Sequence, residues 1–394
     1  MIFLPARMGL LNRRALIRQM EKVGVASRAG LARALGMSQP TAGKIVDELL
    51  AEKILEEVDS PAEPPTGAAS LGRPGRQLCL NRGRPGFLGI QLGISQTELF
   101  ELALEPARAP LWQASFSLTP KQPDPAAAWE RALRATAKNI RTKNLRCVVL
   151  SVPGVVDEST RGILFSPNIH WTEGADLPAL VRRVWEVPVS VVQEERALAL
   201  GHHRYNPGHE DFLLVDFGDG VGGAILVGGK PFASPLPISG ELGHTPVPGN
   251  LRKCGCGATG CVETLVSIRG LLQSFGLAHP RKKRDWAAFQ DHLAAHGVEP
   301  WLAESLQAAA VVIAGSLNVL GLRRVVITGV LGDLAPAVIN QLSDAIKKGA
   351  MWERFGEVEC VVAPRRRAAG LVAVGIDRFI APETGMAGMN GLTT

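Results

Sequence analysis

The chain has 394 residues, 46% of them hydrophobic and 20% charged, with six cysteines and a formal net charge of +6. That length holds two or three domains, each with its own core, and the composition is that of a soluble globular protein. No charged segment followed by an apolar run opens the chain. The longest apolar run, residues 308–322, is broken by Ser316 and Asn318 and is too short to span a bilayer comfortably. The expectation is a cytoplasmic protein with no membrane partner and with reduced thiols.

The first 84 residues carry thirteen basic against eight acidic side chains, so five of the six net positive charges lie there and suit a polyanion partner. Residues 10–22 place Leu10, Leu11, Ala15, Leu16 and Met20 at helical spacing, and Gly24 ends that helix. Ser27 caps a second helix, with Leu31 and Leu35 on one face and Gly36 at its turn. Ser38 caps a third over residues 38–55. Pro40 is tolerated in its first turn, and Ala42, Ile45, Val46, Leu49 and Leu50 form its buried face.

The spacing through Gly36 and Met37 has helix-turn-helix proportions. The third helix is the expected reader, with Ser38, Gln39, Thr41 and Lys44 at the end that meets base edges or phosphates. Residues 54–58 and 72–81 read as two strands of a wing, whose Arg73 suits a narrow minor groove. Caps, turn and wing together favour DNA binding over a three-helix interaction domain with a solvated basic face.

After a linker at 81–86, apolar strands are expected at 87–93, 146–154, 187–193 and 323–329. Residues 212–230 read as strand, glycine turn and strand. Strands alternating with helices imply a parallel, doubly wound α/β pattern. The domain expectation is a winged helix-turn-helix at 1–84, a first α/β lobe at 85–205 joined by 365–382, and a second at 206–364.

Residues 241–263, ELGHTPVPGNLRKCGCGATGCVE, carry the motifs that identify a resemblance. Cys254-Gly255-Cys256-Gly257-Ala258-Thr259-Gly260-Cys261-Val262-Glu263 meets C-x-C-G-x-x-G-C-x-E, and Glu241-Leu242-Gly243-His244 meets E-x-G-H. With FGDGVGG at 217–223 and SPNIHW at 166–171, the chain resembles the ROK family of sugar kinases and sugar-sensing repressors, and its N-terminus resembles the repressor branch. The resemblance implies a two-lobed actin- or hexokinase-like (ribonuclease H-like) body behind the winged helix-turn-helix. His244, Cys254, Cys256 and Cys261 make a Cys3His set suited to one structural zinc, with no position left for water. By resemblance the sugar contacts are Asn168, Glu241, His244 and Glu263, joined by Gln193 and Glu194 at the catalytic-base position, where Glu195 is a rival.

The kinase positions are altered. The family's D-x-G-G-T falls on Gln91-Leu92-Gly93-Ile94-Ser95, its Gly-Thr-Gly on Gly218-Asp219-Gly220, and its G-G-G on Thr328-Gly329-Val330. Ile94 obstructs close backbone approach to a phosphate and Asp219 repels one. The expected function is a sugar-responsive repressor without catalytic residues, binding operator DNA as a homodimer or tetramer and released by a sugar or sugar derivative. Two other readings stand beside it: a ROK sugar kinase with an accessory DNA-binding domain, and a repressor answering to a protein. The basic clusters at 281–284 and 365–367 are expected to be solvated faces.

Overall fold

The structure, a computed structural model, describes residues 5–58, 76–84, 86–105, 108–118, 123–140 and 145–382. Arg73 and the expected tip of the wing lie outside these residues. The chain divides into two compact units. One takes Met1–Ser151, Leu177–Val191 and Ala368–Thr394, and the other takes Val152–Asp176 and Val192–Arg367. Residues 152–176, 192–205 and 365–367, expected in the first lobe, group with the second unit.

The first unit opens with α1 (Pro5–Val23), closed by Gly24 at φ 73° with its N–H on the Met20 carbonyl. A short strand not expected from the sequence, β1 (Val25–Ser27), leads into α2 (Arg28–Leu35). Ser27 caps α2 by accepting the Gly30 N–H at 3.1 Å, and Gly36 ends it at φ 62°. The third helix, α3 (Gln39–Ala51), is shorter than expected. Lys53 takes φ 59°, and this left-handed residue redirects Ile54 and Leu55 into β2 (Leu55–Val58). β2 pairs antiparallel with β3 (Gln77–Leu80), Leu55 opposite Leu80, and β3 also pairs with β1, Val25 opposite Cys79. Leu16, Ile17, Met20, Leu31, Val46, Leu49 and Leu78 are buried among these elements. Each such side chain contributes about 1.5–3 kcal/mol, which helices this short need, since alone they are marginal in water.

The body continues with β4 (Phe87–Leu92), β5 (Thr97–Leu102), β6 (Trp112–Phe116), α4 (Pro125–Ala137) and β7 (Cys147–Val152). A hairpin of β8 (Val155–Asp157) and β9 (Gly162–Phe165) precedes α5 (Leu177–Arg182), β10 (Val189–Gln193) and α6 (Glu194–Tyr205). Then come β11 (Phe212–Phe217), β12 (Val221–Val227), β13 (Lys230–Pro231), α7 (Glu263–Val266), α8 (Ile268–Ala278), α9 (Trp286–His296) and α10 (Pro300–Leu320). The described chain closes with β14 (Arg324–Gly329), α11 (Pro336–Gly349), β15 (Glu359–Val362) and α12 (Arg367–Gly375).

Two five-stranded sheets repeat one order, β6-β5-β4-β7-β10 and β13-β12-β11-β14-β15. This is the expected ribonuclease H-like body. The expected parallel pairing holds for β4 with β7 and for β11 with β14 and β15. It gives way to antiparallel pairing at β4-β5-β6 and β11-β12-β13. The turns after β4 and β11 are only a few residues long, and a connection that short can make only an antiparallel pair.

In the second unit Phe217, Val266, Phe275, Leu306, Ile313, Val325 and Leu342 share one buried core. Among the described residues α10 alone is long and apolar enough to cross a membrane, and it packs against α11 with half of its apolar stretch buried. In the first unit α12 runs into one π-helical turn, Ile376–Ile380. Asp377 there pairs with Arg18 of α1, and Arg378 donates to the Ser190 hydroxyl and to the Val191 carbonyl of β10.

Candidate sugar site and metal centre

Residues 244–263 fold back on themselves through isolated bridges between Pro246 and Cys261 and between Lys253 and Thr259. Gly257 and Gly260 take φ 90° and 89°, which turns the three cysteines inward. Cys254 Sγ lies 3.6 Å from His244 Nδ1, Cys256 Sγ lies 3.6 Å from Cys261 Sγ, and the four ligand atoms all fall within 4.8 Å of one another. A tetrahedral zinc with bonds of about 2.0–2.3 Å sets its ligand atoms roughly 3.3–3.8 Å apart, so this set could hold a metal ion. Burial and the neighbouring thiols push the Cys261 thiol up to about 12, so binding a cation here means displacing protons.

The ring of His244 presents its two nitrogens to different partners. Nδ1 faces Cys254, and Nε2 lies 3.8 Å from Glu241 Oε2. Glu241 Oε1 accepts from Gln193 Nε2 at 3.1 Å. Glu263 is buried, accepts the Val221 N–H at 2.9 Å and lies 3.7 Å from Cys254 Sγ. A Cβ on Gly220 would stand 2.9 Å from the Glu263 carboxylate and 4.0 Å from Asn168 Nδ2, and one on Gly255 would stand 3.5 Å from Asn168 Oδ1. The glycines thus let the turn after β11 and the cysteine loop close around Asn168 and Glu263. Of the residues expected to meet a sugar, Asn168, Gln193, Glu241, His244 and Glu263 come together.

Glu194 has a partner of its own. It faces Arg367 at 3.5 Å, and burial first, then Asp216, raises its pKa against the pull of Arg367 and Arg365. Glu195 is half-buried against Gly222, where a Cβ would stand 2.5 Å from its carboxylate. Burial, then Glu194 and Glu241, hold its carboxyl well above the usual range, and its Oε2 has no hydrogen-bond partner among the described residues. Arg269, which the sequence did not single out, donates to Asn168 Oδ1 at 2.9 Å from the first turn of α8.

This cluster lies within a wider similarity, because a model of the ROK family matches residues 117–374. The chain belongs to the ROK family. It is 23% identical over 380 residues to the xylose repressor of Bacillus subtilis (strain 168), covering 94% of this chain and 96% of that one. It is 30% identical over 128 residues to a glucokinase of Streptomyces coelicolor, covering 32% of this chain and 40% of that one. A crystal structure of a ROK family transcriptional regulator, a homologue of the E. coli MLC protein, shares its fold with a TM-score of 0.75 at 19% identity, covering 94% of this chain and 97% of that one.

At the ROK kinase positions the side chains have other partners or none. Gln91 is buried in β4, and its Nε2 has no partner among the described residues. Asp219 is exposed at the glycine turn. Arg365 donates from Nε and Nη2 to the two carboxylate oxygens of Asp216 at 2.7 and 2.8 Å, and from Nη2 to the Phe217 carbonyl at 3.0 Å. A Cβ on Gly218 or Gly329 would stand 2.4 or 2.7 Å from that guanidinium. Arg365 therefore fills the space beside both glycine turns. The expectation that residues 365–367 form a solvated face is corrected here. Arg365 is ion-paired, Arg366 lies 3.6 Å above the Tyr205 ring and Arg367 faces Glu194, because carboxylates and an aromatic ring lie within their reach. The run at 281–284 is exposed.

Ser38, Gln39, Thr41 and Lys44, the residues expected to meet DNA, are all exposed at the N-terminal end of α3. Ser38 accepts the Thr41 N–H at 3.3 Å, and the two hydroxyls lie 2.8 Å apart. Ser38 thus serves as the cap, while Gln39 and Lys44 point outward from the first turns.

Proposed function

We propose that this chain is a sugar-responsive transcriptional repressor: α3 reads operator DNA, and the body binds a sugar at Asn168, Gln193, Glu241, His244 and Glu263. Glu194, held by Arg367, is left out of the sugar contacts proposed from the resemblance. Zinc, held by His244, Cys254, Cys256 and Cys261, would fix the cysteine loop and supply positive charge beside the His244 ring. His244, with Nδ1 toward the metal, carries its proton on Nε2 and can donate it to a sugar hydroxyl or to Glu241. Glu241 and Glu263 accept from sugar hydroxyls, and the amides of Asn168 and Gln193 both accept and donate. Cytoplasmic location and a two-fold pair of chains complete the reading, since a reader helix of this kind binds two half-sites.

The observation that favours a regulator over a kinase is Arg365. Its side chain lies beside Gly218 and Gly329, locked onto Asp216, where a phosphate-binding turn needs open backbone. The near full-length likeness to a repressor supports the same choice. A footprint of the full chain on its own promoter region at physiological salt, with and without monosaccharides and their phosphates, tests this. One protected palindrome, released by one sugar, is the expected result. Salt-sensitive binding indifferent to sequence, or transfer of phosphate from Mg-ATP to a sugar at an enzymatic rate, would refute it.

A further inference from the structure

A second cluster of metal-binding side chains lies in the helical part of the second unit, on residues the repressor reading does not use. His279 follows the last residue of α8, His292 lies in α9, and Glu299 precedes α10. The Nε2 atoms of His279 and His292 both reach one oxygen, Glu299 Oε2, at 2.7 and 3.0 Å. Trp301 Nε1 donates to the same oxygen at 2.9 Å. Glu299 does not cap its own helix, although it stands at the capping position. Its carboxylate is turned to the imidazoles instead. We propose that His279, His292 and Glu299 form a second divalent-metal site, of the kind that takes zinc, cobalt or nickel.

The donor set decides the class of ion. Two imidazoles and one carboxylate suit borderline transition metals, while the absence of a thiolate disfavours copper(I) and the nitrogen donors disfavour magnesium and calcium. The three ligand atoms already lie within 4.8 Å of one another. A cation bonded at about 2.0–2.2 Å needs its ligands roughly 3.3 Å apart, so each imidazole need part from the Glu299 oxygen by only about 0.3–0.6 Å. Three protein ligands leave a position for water, unlike the closed set at the cysteines. The basic run at 281–284 follows directly, but its side chains are exposed and screened by salt.

The tautomer sets the strength. A histidine bound through Nε2 carries its proton on Nδ1, and Nδ1 of His292 is buried with no partner among the described residues. That unsatisfied N–H weakens the site, so the ion here leaves before the one at the cysteines. A bound ion would tie the end of α8 to α9 and α10. The start of the same helix holds the Ile268 N–H on the Gly218 carbonyl and Arg269 on Asn168.

Cobalt(II) separates the two sites, because only the cysteine site gives thiolate-to-cobalt charge-transfer absorption. The full chain, stripped with chelator, is titrated with cobalt(II) and bound metal is counted. Wild type is expected to take up about one equivalent with the charge-transfer band and about one more without it. Glu299→Gln and His279→Asn are each expected to lose the second equivalent and keep the band. Wild-type uptake that stops with the band, or variants that take up as much cobalt as wild type, would mean that the cluster is a hydrogen-bond network only and would overturn the proposal. Should a variant fail to fold, Cys256→Ser supplies the complementary measurement. It is expected to retain uptake without the band, and no uptake at all would count against the second site.

Discussion

Replacing Arg365 by Ala removes three hydrogen bonds, two of them to the Asp216 carboxylate. Asp216 is buried, and its charge lies close enough to Glu194 to add to the burial that raises the Glu194 pKa. Breaking a buried pair by deleting one partner costs about 3–5 kcal/mol. The Arg365 side chain is 24% exposed, so water can reach the gap, and about 3 kcal/mol is the expected loss. For a unit of this size that lowers Tm by about 6–12 °C. Asp216→Asn placed on top of Arg365→Ala removes the stranded charge and should recover much of the loss, so the pair is non-additive. Calorimetric melts of wild type, both single variants and the double variant measure this, each repeated with Mg-ATP and with inorganic phosphate. Arg365→Ala melting within about 1 °C of wild type would show that the pair does not hold the turns. A rise in wild-type Tm with Mg-ATP would show that the turns still accept a nucleotide and would refute the reasoning at its root.

Glu195 gives a pH prediction. Its folded pKa is raised from the ordinary value of 4.5, so the folded chain binds this proton more tightly than the unfolded chain does. Its effect on stability is therefore most favourable below 4.5 and worsens as pH rises from there through the raised value. Glu195→Gln should raise Tm at neutral pH and leave it unchanged in acid, as a melting series across pH would show. Cys256→Ser should release zinc and weaken sugar binding by about 10–100-fold by calorimetry, although no cysteine touches the sugar. Gln39→Ala should relax sequence preference at a cost of about 1–3 kcal/mol in operator binding. Lys44→Ala should weaken all sequences if it meets phosphate, and gel-shift titrations on operator and scrambled DNA separate the two outcomes.

The parts legible in the sequence are the local ones. Ser27, Gly36 and Ser38 act within a turn of their own position, so the reader's helices could be placed from caps alone, whereas Lys53 gave no sign that α3 stops early. The metal cluster was legible for the same reason, since its three cysteines span eight residues and glycines mark its turns. β5 was missed because Glu98 and Glu101 interrupt its apolar pattern, although Glu101 is buried in the sheet. Arg365 and Asp216 are 149 positions apart, and Arg269 and Asn168 are 101 apart. No window along the chain contains either pair, so a run of three arginines reads as surface until the sheet brings Asp216 beneath it. Glu194 and Glu195 could not be told apart from sequence because helix geometry, not residue type, sends one to Arg367 and the other to Gly222.

Asp377 and Arg378 are neighbours in the chain, yet one is joined to α1 of the reader and the other to β10, the strand that ends at Gln193. Residues 376–380 are thus tied both to α1 and to β10. A hybrid made by grafting another regulator's first 84 residues onto this body would keep Asp377 and discard the Arg18 that matches it. Its Asp377 carboxylate would stand without that ion pair, and the seat of α1 against residues 376–380 would loosen. A graft that exchanges the residues around 376–380 together with α1 keeps the pair whole.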